Sequence, residues 1–202
     1  MSARKLPLSF YRQPDVVRLS RQLVGMVLCT QTGDAPVTSG RITETEAYSG
    51  RNDKASHAYG GRRTQRTETM YRAGGVGYVY LCYGIHHLFN VVTNTENKAD
   101  AVLIRAIEPL EGREIMLQRR GAEQISPSLT AGPGRLSRAL NITTAFDGID
   151  LTGNTIWIED RGRSPADDEM VAAPRIGVDY AGEDAGLPRR FYVRGNRWVS
   201  AK

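Results

Sequence analysis

Apolar and polar positions along the chain change period several times, and each change marks an element. Val16, Val17, Leu19, Leu23 and Val24 follow Pro14-Asp15 at helical spacing and stop at Gly25, which predicts a short helix. From Met26 the pattern turns to strand: MVLCTQT, a turn at Gly33-Asp34-Ala35-Pro36, then VTSGRITETEAY. Ser49 to about Arg66 is polar and rich in glycine and arginine, a loop. Three further strands are predicted by GYVYLC, HHLFNVV and AVLIRAIEP, separated by Tyr83-Gly84 and by the polar stretch Asn94 to Asp100. Glu111 to Arg120 predicts a helix, and a second helix runs from near Gly134 to near Asn141. TIWIED and RFYVRG give weaker strand signals. Strands in close succession, without regular helical crossovers, predict an α+β fold: a mostly antiparallel sheet with helices packed around it. No repeat, low-complexity tract or linker divides the chain, so residues 1–202 are expected to form a single domain.

Composition narrows the class. A hydrophobic share of 40% and a charged share of 24% are globular values and exclude a disordered chain. No stretch approaches the length of an apolar membrane span, so no membrane partner is expected. The opening MSARKLPLSFYRQPD has no apolar secretory core. Cys29 and Cys82 lie far apart in strand-like apolar runs and read as buried thiols in a reducing compartment. A soluble cytoplasmic protein is expected, nucleoid-associated if its source is bacterial.

The charge is unevenly placed. Arg51, Lys54, Arg62, Arg63, Arg66 and Arg72 stand against only Asp53 and Glu68 between residues 51 and 80, whereas acids dominate residues 141–170. A basic patch set against an acidic back suits a molecule that lays one side on phosphates. Solvated charges in an arginine-rich chain would look the same.

Candidate chemistry centres on Arg41-Ile-Thr-Glu-Thr-Glu-Ala-Tyr48. Alternation along a strand puts Ile42, Glu44, Glu46 and Tyr48 on one face. A core face does not tolerate two unpaired glutamates, so this face meets solvent or lines a cleft. In Tyr78-Val-Tyr-Leu-Cys-Tyr83, Tyr78 and Tyr80 share a face and Tyr83 sits at the following turn. Such rings fill a core, or stack on an extruded base. Asn90 interrupts an apolar run and Arg105 breaks a strand that otherwise reads as buried; each needs a partner or a ligand. His86 and His87 are adjacent and point to opposite faces, and no Cys or His cluster has ligand spacing, so neither a metal nor a cofactor is expected.

These segments resemble a known family. ETEAY, ASHAYGGRRT, YVYLCYG with Asn90, LIRAIEPLEG, GPGRLSRALNI and RFYVRGNRWVS, in this order from about Leu19 to Ser200, are similar to the alkyladenine (3-methyladenine) DNA glycosylases. The resemblance implies a single α+β domain around a curved, largely antiparallel sheet. It also implies a monomer that acts on double-stranded DNA containing damaged purines, by base flipping and hydrolysis of the N-glycosidic bond. Carried over by position, Glu46 is the general base, and Arg105 with the backbone carbonyl of Ile176 helps hold the attacking water. Tyr48, Tyr80 and His57 enclose the flipped base, Asn90 crowds the amino group of guanine, and Tyr83 fills the gap left in the duplex. The chain departs from the family where Arg66-Thr67 and Met70-Tyr71 stand in place of Arg-Asn and Met-Phe.

Two other readings compete. A non-catalytic nucleic-acid-binding domain would use the same arginines and tyrosines, but gains nothing from Glu46 beside phosphates. A hydrolase of free nucleosides has no task for Tyr83 or the basic loop. No lysine or N-terminal proline stands out as an amine nucleophile, which argues against strand-cleaving lyase chemistry.

Overall fold

The computed structural model describes residues 3–200. In chain order it runs β1 (Arg4–Lys5), α1 (Leu8–Tyr11), α2 (Val16–Leu23), β2 (Val27–Thr30) and β3 (Thr38–Tyr48). Three short 3-10 turns between residues 50 and 71 lead to the hairpin of β4 (Gly77–Cys82) and β5 (His86–Thr93). Then come β6 (Asp100–Glu111), α3 (Arg113–Arg120), α4 (Pro133–Ala139), β7 (Ile156–Asp160), β8 (Met170–Ala173) and β9 (Arg190–Val193). The strand order is β1-β7-β2-β3-β6-β5-β4, and β9 joins β3 while carrying β8. Every pairing is antiparallel, and the sheet curls into a half-barrel, as the α+β expectation required. The acidic β7 and the basic loop leading into β4 lie towards opposite ends of this order.

Helix α2 forms where the periodicity placed it. Asp15 caps it by accepting from the Arg18 amide at 2.9 Å, and Gly25 leaves it with φ +94°. A side chain at Gly25 would stand 2.7 Å from the Arg163 carbonyl, so the close approach also demands glycine. The buried stripe of Val16, Leu19 and Leu23 lies on β3. Ser20 Oγ and Thr45 Oγ1 bond at 3.0 Å, and Thr45 Oγ1 donates to the Ser20 carbonyl at 2.9 Å. One face of β3 is thus held against the core.

Strict alternation fails in the middle of β3. Ile42 pairs with Ile107 and Glu44 with Ala106, but Thr45 already pairs with Ile104, so both strands shift register around Thr43 and Arg105. The consequence is a change of face. Ile42 and Ala47 both enter the main core although their numbers differ in parity. Ile42 therefore does not share the face of Glu44, Glu46 and Tyr48, contrary to the alternation read from sequence. The bulge lets the first half of β3 pack apolar while the second half turns its buried glutamates towards Arg105, which lines a cleft. Strand β2 flanks the first half and β9 the second.

Other departures are local. β6 continues through Glu111, and the next helix begins only at Arg113, after Gly112 at φ +68°. Strands β1 and β8 and helix α1 had no readable signal, being two to four residues long. The loop after Ser49 is not merely polar: Ala58, Met70 and Tyr71 are buried with Tyr78, Val92 and Ala101 in a second apolar cluster. Among the described residues no helix is long and apolar enough to cross a membrane.

Candidate active site

Glu44 and Glu46 are both fully buried, and their oxygens are satisfied differently. The Glu44 Oε1 atom accepts from Arg105 Nε at 2.9 Å and Ser200 Oγ at 2.9 Å, and faces Arg190 Nε at 3.0 Å. Its Oε2 accepts from the Ser200 amide at 2.7 Å. A carboxylate offers about four acceptor positions; three of those of Glu44 are hydrogen-bonded, and Arg190 adds its charge beside them. Glu46 has three partners: the Ile176 amide on Oε1 at 2.8 Å, and the Tyr48 hydroxyl at 2.8 Å with Arg105 Nη1 at 3.2 Å on Oε2. Tyr48, Arg105 and Ile176 also line a cleft of about 450 Å³. Arg105 thus bridges the two carboxylates; burial alone would lower its pKa, but Glu46 and Glu44 hold it above its ordinary value. The same register shift that turns Glu44 outward presents Arg105 to it from β6.

The cleft gathers the remaining candidates. Tyr48, His57, Tyr80, Tyr83 and Asn90 all border it. Burial first, and then the Glu46 carboxylate, push the Tyr48 phenol well above its ordinary value, so it stays a donor. His57 lies edge-on to Tyr80, with ring centroids 4.6 Å apart, and its Nδ1 is hydrogen-bonded to the Tyr78 hydroxyl at 3.0 Å. Burial, with Arg66 and Arg62 nearby, lowers the His57 pKa to about 4, so the imidazole is neutral at neutral pH. Tyr78 is buried and stacks on Tyr80 at 5.4 Å; it supports the pocket more than it faces it. Asn90 Nδ2 donates to the Tyr78 carbonyl at 3.1 Å and the Leu88 carbonyl at 3.4 Å, which orients the amide.

Tyr83 stands apart. It is 92% exposed at the tip of the β4–β5 hairpin, with φ +50°, followed by Gly84 at φ +72°. Two successive positive φ values fit a primed hairpin turn, closed by the Ile85 amide on the Cys82 carbonyl at 3.1 Å. A bulky side chain at positive φ costs about 1–2 kcal/mol. Cheap residues such as Asn or Gly are absent here, and an aromatic ring is thrown into solvent instead.

Several residues of the site escaped the sequence reading. Asp53 is fully buried and forms a two-pronged pair with Arg175, joined by Arg189 at 3.1 Å. Burial opposes ionisation of Asp53, but Arg175 outweighs it and the carboxyl is held below its usual range. The Arg175 guanidinium then lies 4.7 Å from the Tyr48 ring, on the side away from the cleft. Arg190 and Ser200 complete the shell around Glu44. Tyr180, exposed at the cleft edge, hydrogen-bonds the Ala55 carbonyl at 3.1 Å. Asp53 lay in a segment read as loop, and its partners stand more than a hundred positions away; no local pattern links them. Ile176 was singled out for its carbonyl, yet it is its N–H that touches Glu46. Cys82, expected buried, is half-buried at the cleft; Cys29 is buried, and both thiols are free.

Comparison with known proteins fits this geometry. The methylpurine-DNA glycosylase family model matches residues 9–197. A Bacillus licheniformis protein is 46% identical over 195 residues, covering 96% of each chain. One from Desulfitobacterium hafniense is 43% identical over 206 residues, covering 98% of this chain and all of the other. One from Chlamydia felis is 48% identical over 190 residues, covering 93% and 95%. All three are provisionally named 3-methyladenine DNA glycosylase.

Proposed function

Because the chain belongs to the methylpurine-DNA glycosylase family, we propose that it flips damaged purines out of duplex DNA and hydrolyses their N-glycosidic bond with a water activated by Glu46. It is a monofunctional DNA glycosylase, a DNA-repair enzyme that hydrolyses N-glycosyl bonds. The observation that carries the mechanism is the difference between the two glutamates. Glu44 is contacted by Arg105, Arg190 and Ser200, whereas the three partners of Glu46, namely Tyr48, Arg105 and Ile176, are all themselves cleft residues. The nucleophilic water enters where Tyr48, Arg105 and Ile176 meet. Its oxygen bonds to C1′ of the sugar while the C1′–N bond breaks; the bonding pair leaves with the base and the water proton passes to Glu46. The Glu46 charge also favours the oxocarbenium-like sugar of the transition state. Alkylation at N3 or N7 makes the purine a good leaving group, because the bonding pair neutralises its positive charge.

The flipped base lies against Tyr48, Tyr80 and neutral His57, with 3-methyladenine and related alkylated or deaminated purines as substrates. The protein acts as a monomer on double-stranded DNA. The test is excision from duplexes carrying 3-methyladenine, 7-methylguanine, ethenoadenine or hypoxanthine, with abasic sites revealed by alkali. Release of none of these bases, alongside retained duplex binding, favours the purely DNA-binding reading.

Tyr83 fills the space the base vacates. Tyr83→Ala is expected to weaken lesion-duplex binding and slow flipping, on the order of the few kcal/mol that extruding a base costs. The loss should shrink for mispaired or single-stranded lesions, where less stacking is broken. An equal loss on duplex and single strand places Tyr83 in the pocket or in folding.

Asn90 refuses guanine by contact. With its amide held by two backbone carbonyls, it cannot swing away from a purine amino group. Asn90→Ser or Asn90→Ala is expected to raise slow excision of undamaged guanine relative to hypoxanthine, by about 1–3 kcal/mol of lost discrimination. A folded variant with the original ratio reduces Asn90 to a structural amide.

A further inference from the structure

Most of the charged groups around the cleft are paired. Arg105 and Arg190 answer Glu44 and Glu46, and Arg175 with Arg189 answers Asp53. Arg175, behind Tyr48, therefore orders that ring without leaving a bare charge. Arg66 is different. It is exposed, lines the cleft, and pairs with no carboxylate among the described residues. Its guanidinium lies 5.1 Å from the Tyr80 ring, on which the base is proposed to stack.

A cation already over an aromatic face draws on the π-density that a second cation on that ring would need. It also repels that second cation directly, though solvent around the exposed guanidinium screens part of the effect. A neutral purine suffers neither penalty. His57 adds no positive charge of its own at neutral pH, its pKa standing at about 4. Of the cations beside the pocket, Arg66 is the one that lies over the Tyr80 ring itself.

We infer that Arg66 is a specificity-determining residue, which biases the pocket against positively charged alkylpurines and towards neutral purine lesions. Cationic lesions then rely on their weak glycosidic bond for turnover, and neutral ones on better binding. This rests on the base-flipping reading above.

The experiment compares binding of two duplexes that differ in charge and hardly in shape: one with 3-methyladenine, the other with its neutral isostere 3-deaza-3-methyladenine. It is done in a Glu46→Gln background, so that binding is read without cleavage. Adding Arg66→Gln is expected to shift the affinity ratio by about 2- to 5-fold towards the cationic base, the scale of one cation–π contact at an exposed site. Arg66→Lys, which keeps the charge, is expected to hold the ratio near its starting value. Weakening of both duplexes by the same factor, with a shallower salt dependence, identifies Arg66 as a phosphate contact and overturns the inference. So does an unchanged ratio. If the background protein binds neither lesion better than undamaged duplex, the base-flipping reading itself falls, and the inference with it.

Discussion

Glu46→Gln is expected to abolish excision while leaving lesion-duplex affinity nearly intact. The amide has the shape of the carboxylate. Its carbonyl can still accept from the Ile176 amide, its NH₂ can donate to the Tyr48 hydroxyl oxygen, and Arg105 retains Glu44. What is lost is basicity: an amide oxygen still accepts a hydrogen bond from water but cannot take its proton. Removing a placed general base lowers the rate by roughly 10²–10⁴-fold, to which loss of charge stabilisation at the sugar adds. Single-turnover excision, with gel-shift affinity measured on the same duplex, checks both halves of the expectation. Near-normal excision would sink the assignment and move attention to Glu44.

The second large effect concerns folding. Glu44→Ala is expected to destabilise the protein by about 3–5 kcal/mol, the scale for removing one partner of a buried ion pair. Arg105 and Arg190, 7% and 3% exposed, would each lose a carboxylate, and the Ser200 amide would lose its acceptor. In a domain of this size the loss corresponds to roughly 6–20 °C in Tm. Glu44→Gln should lose less, because an amide oxygen still accepts from the Ser200 amide. Calorimetry and urea denaturation provide the readout. A Glu44→Ala protein as stable as the original would show that the network is not what holds β3 to β9.

The contrast between the two glutamates also shows what could be read in advance. Glu44, Glu46, Asn90 and Arg105 stood out because each violated the apolar logic of its own strand. Tyr48, Tyr80 and Tyr83 took their roles from the family likeness, since a tyrosine in a strand is by itself an ordinary core residue. The bulge was invisible because nothing in RITETEAY marks it. It is created by pairing with β6, where Arg105 must turn from the core at the same level. Asp53 and Arg175 were invisible for a related reason, lying 122 positions apart with neither violating a local pattern. The loop beneath the base pocket misled in the other direction. Its glycines and arginines advertise solvent, while Ala58, Met70 and Tyr71 quietly build a small core under Tyr78.

The bonds from Ser200 to Glu44 span 156 positions. A ribosome adds about 5–20 residues per second, so β3 emerges on the order of 10–30 seconds before the residue that satisfies it. In that interval Glu44 has no amide to receive it and Arg190 has not been made. Until then Arg105, made 61 positions after Glu44, is the partner that answers its charge. The set of bonds around Glu44 is therefore complete only once Ser200 has been made. A chain that stops short of Ser200 keeps the Arg105 and Arg190 contacts of Glu44 and lacks both bonds from Ser200.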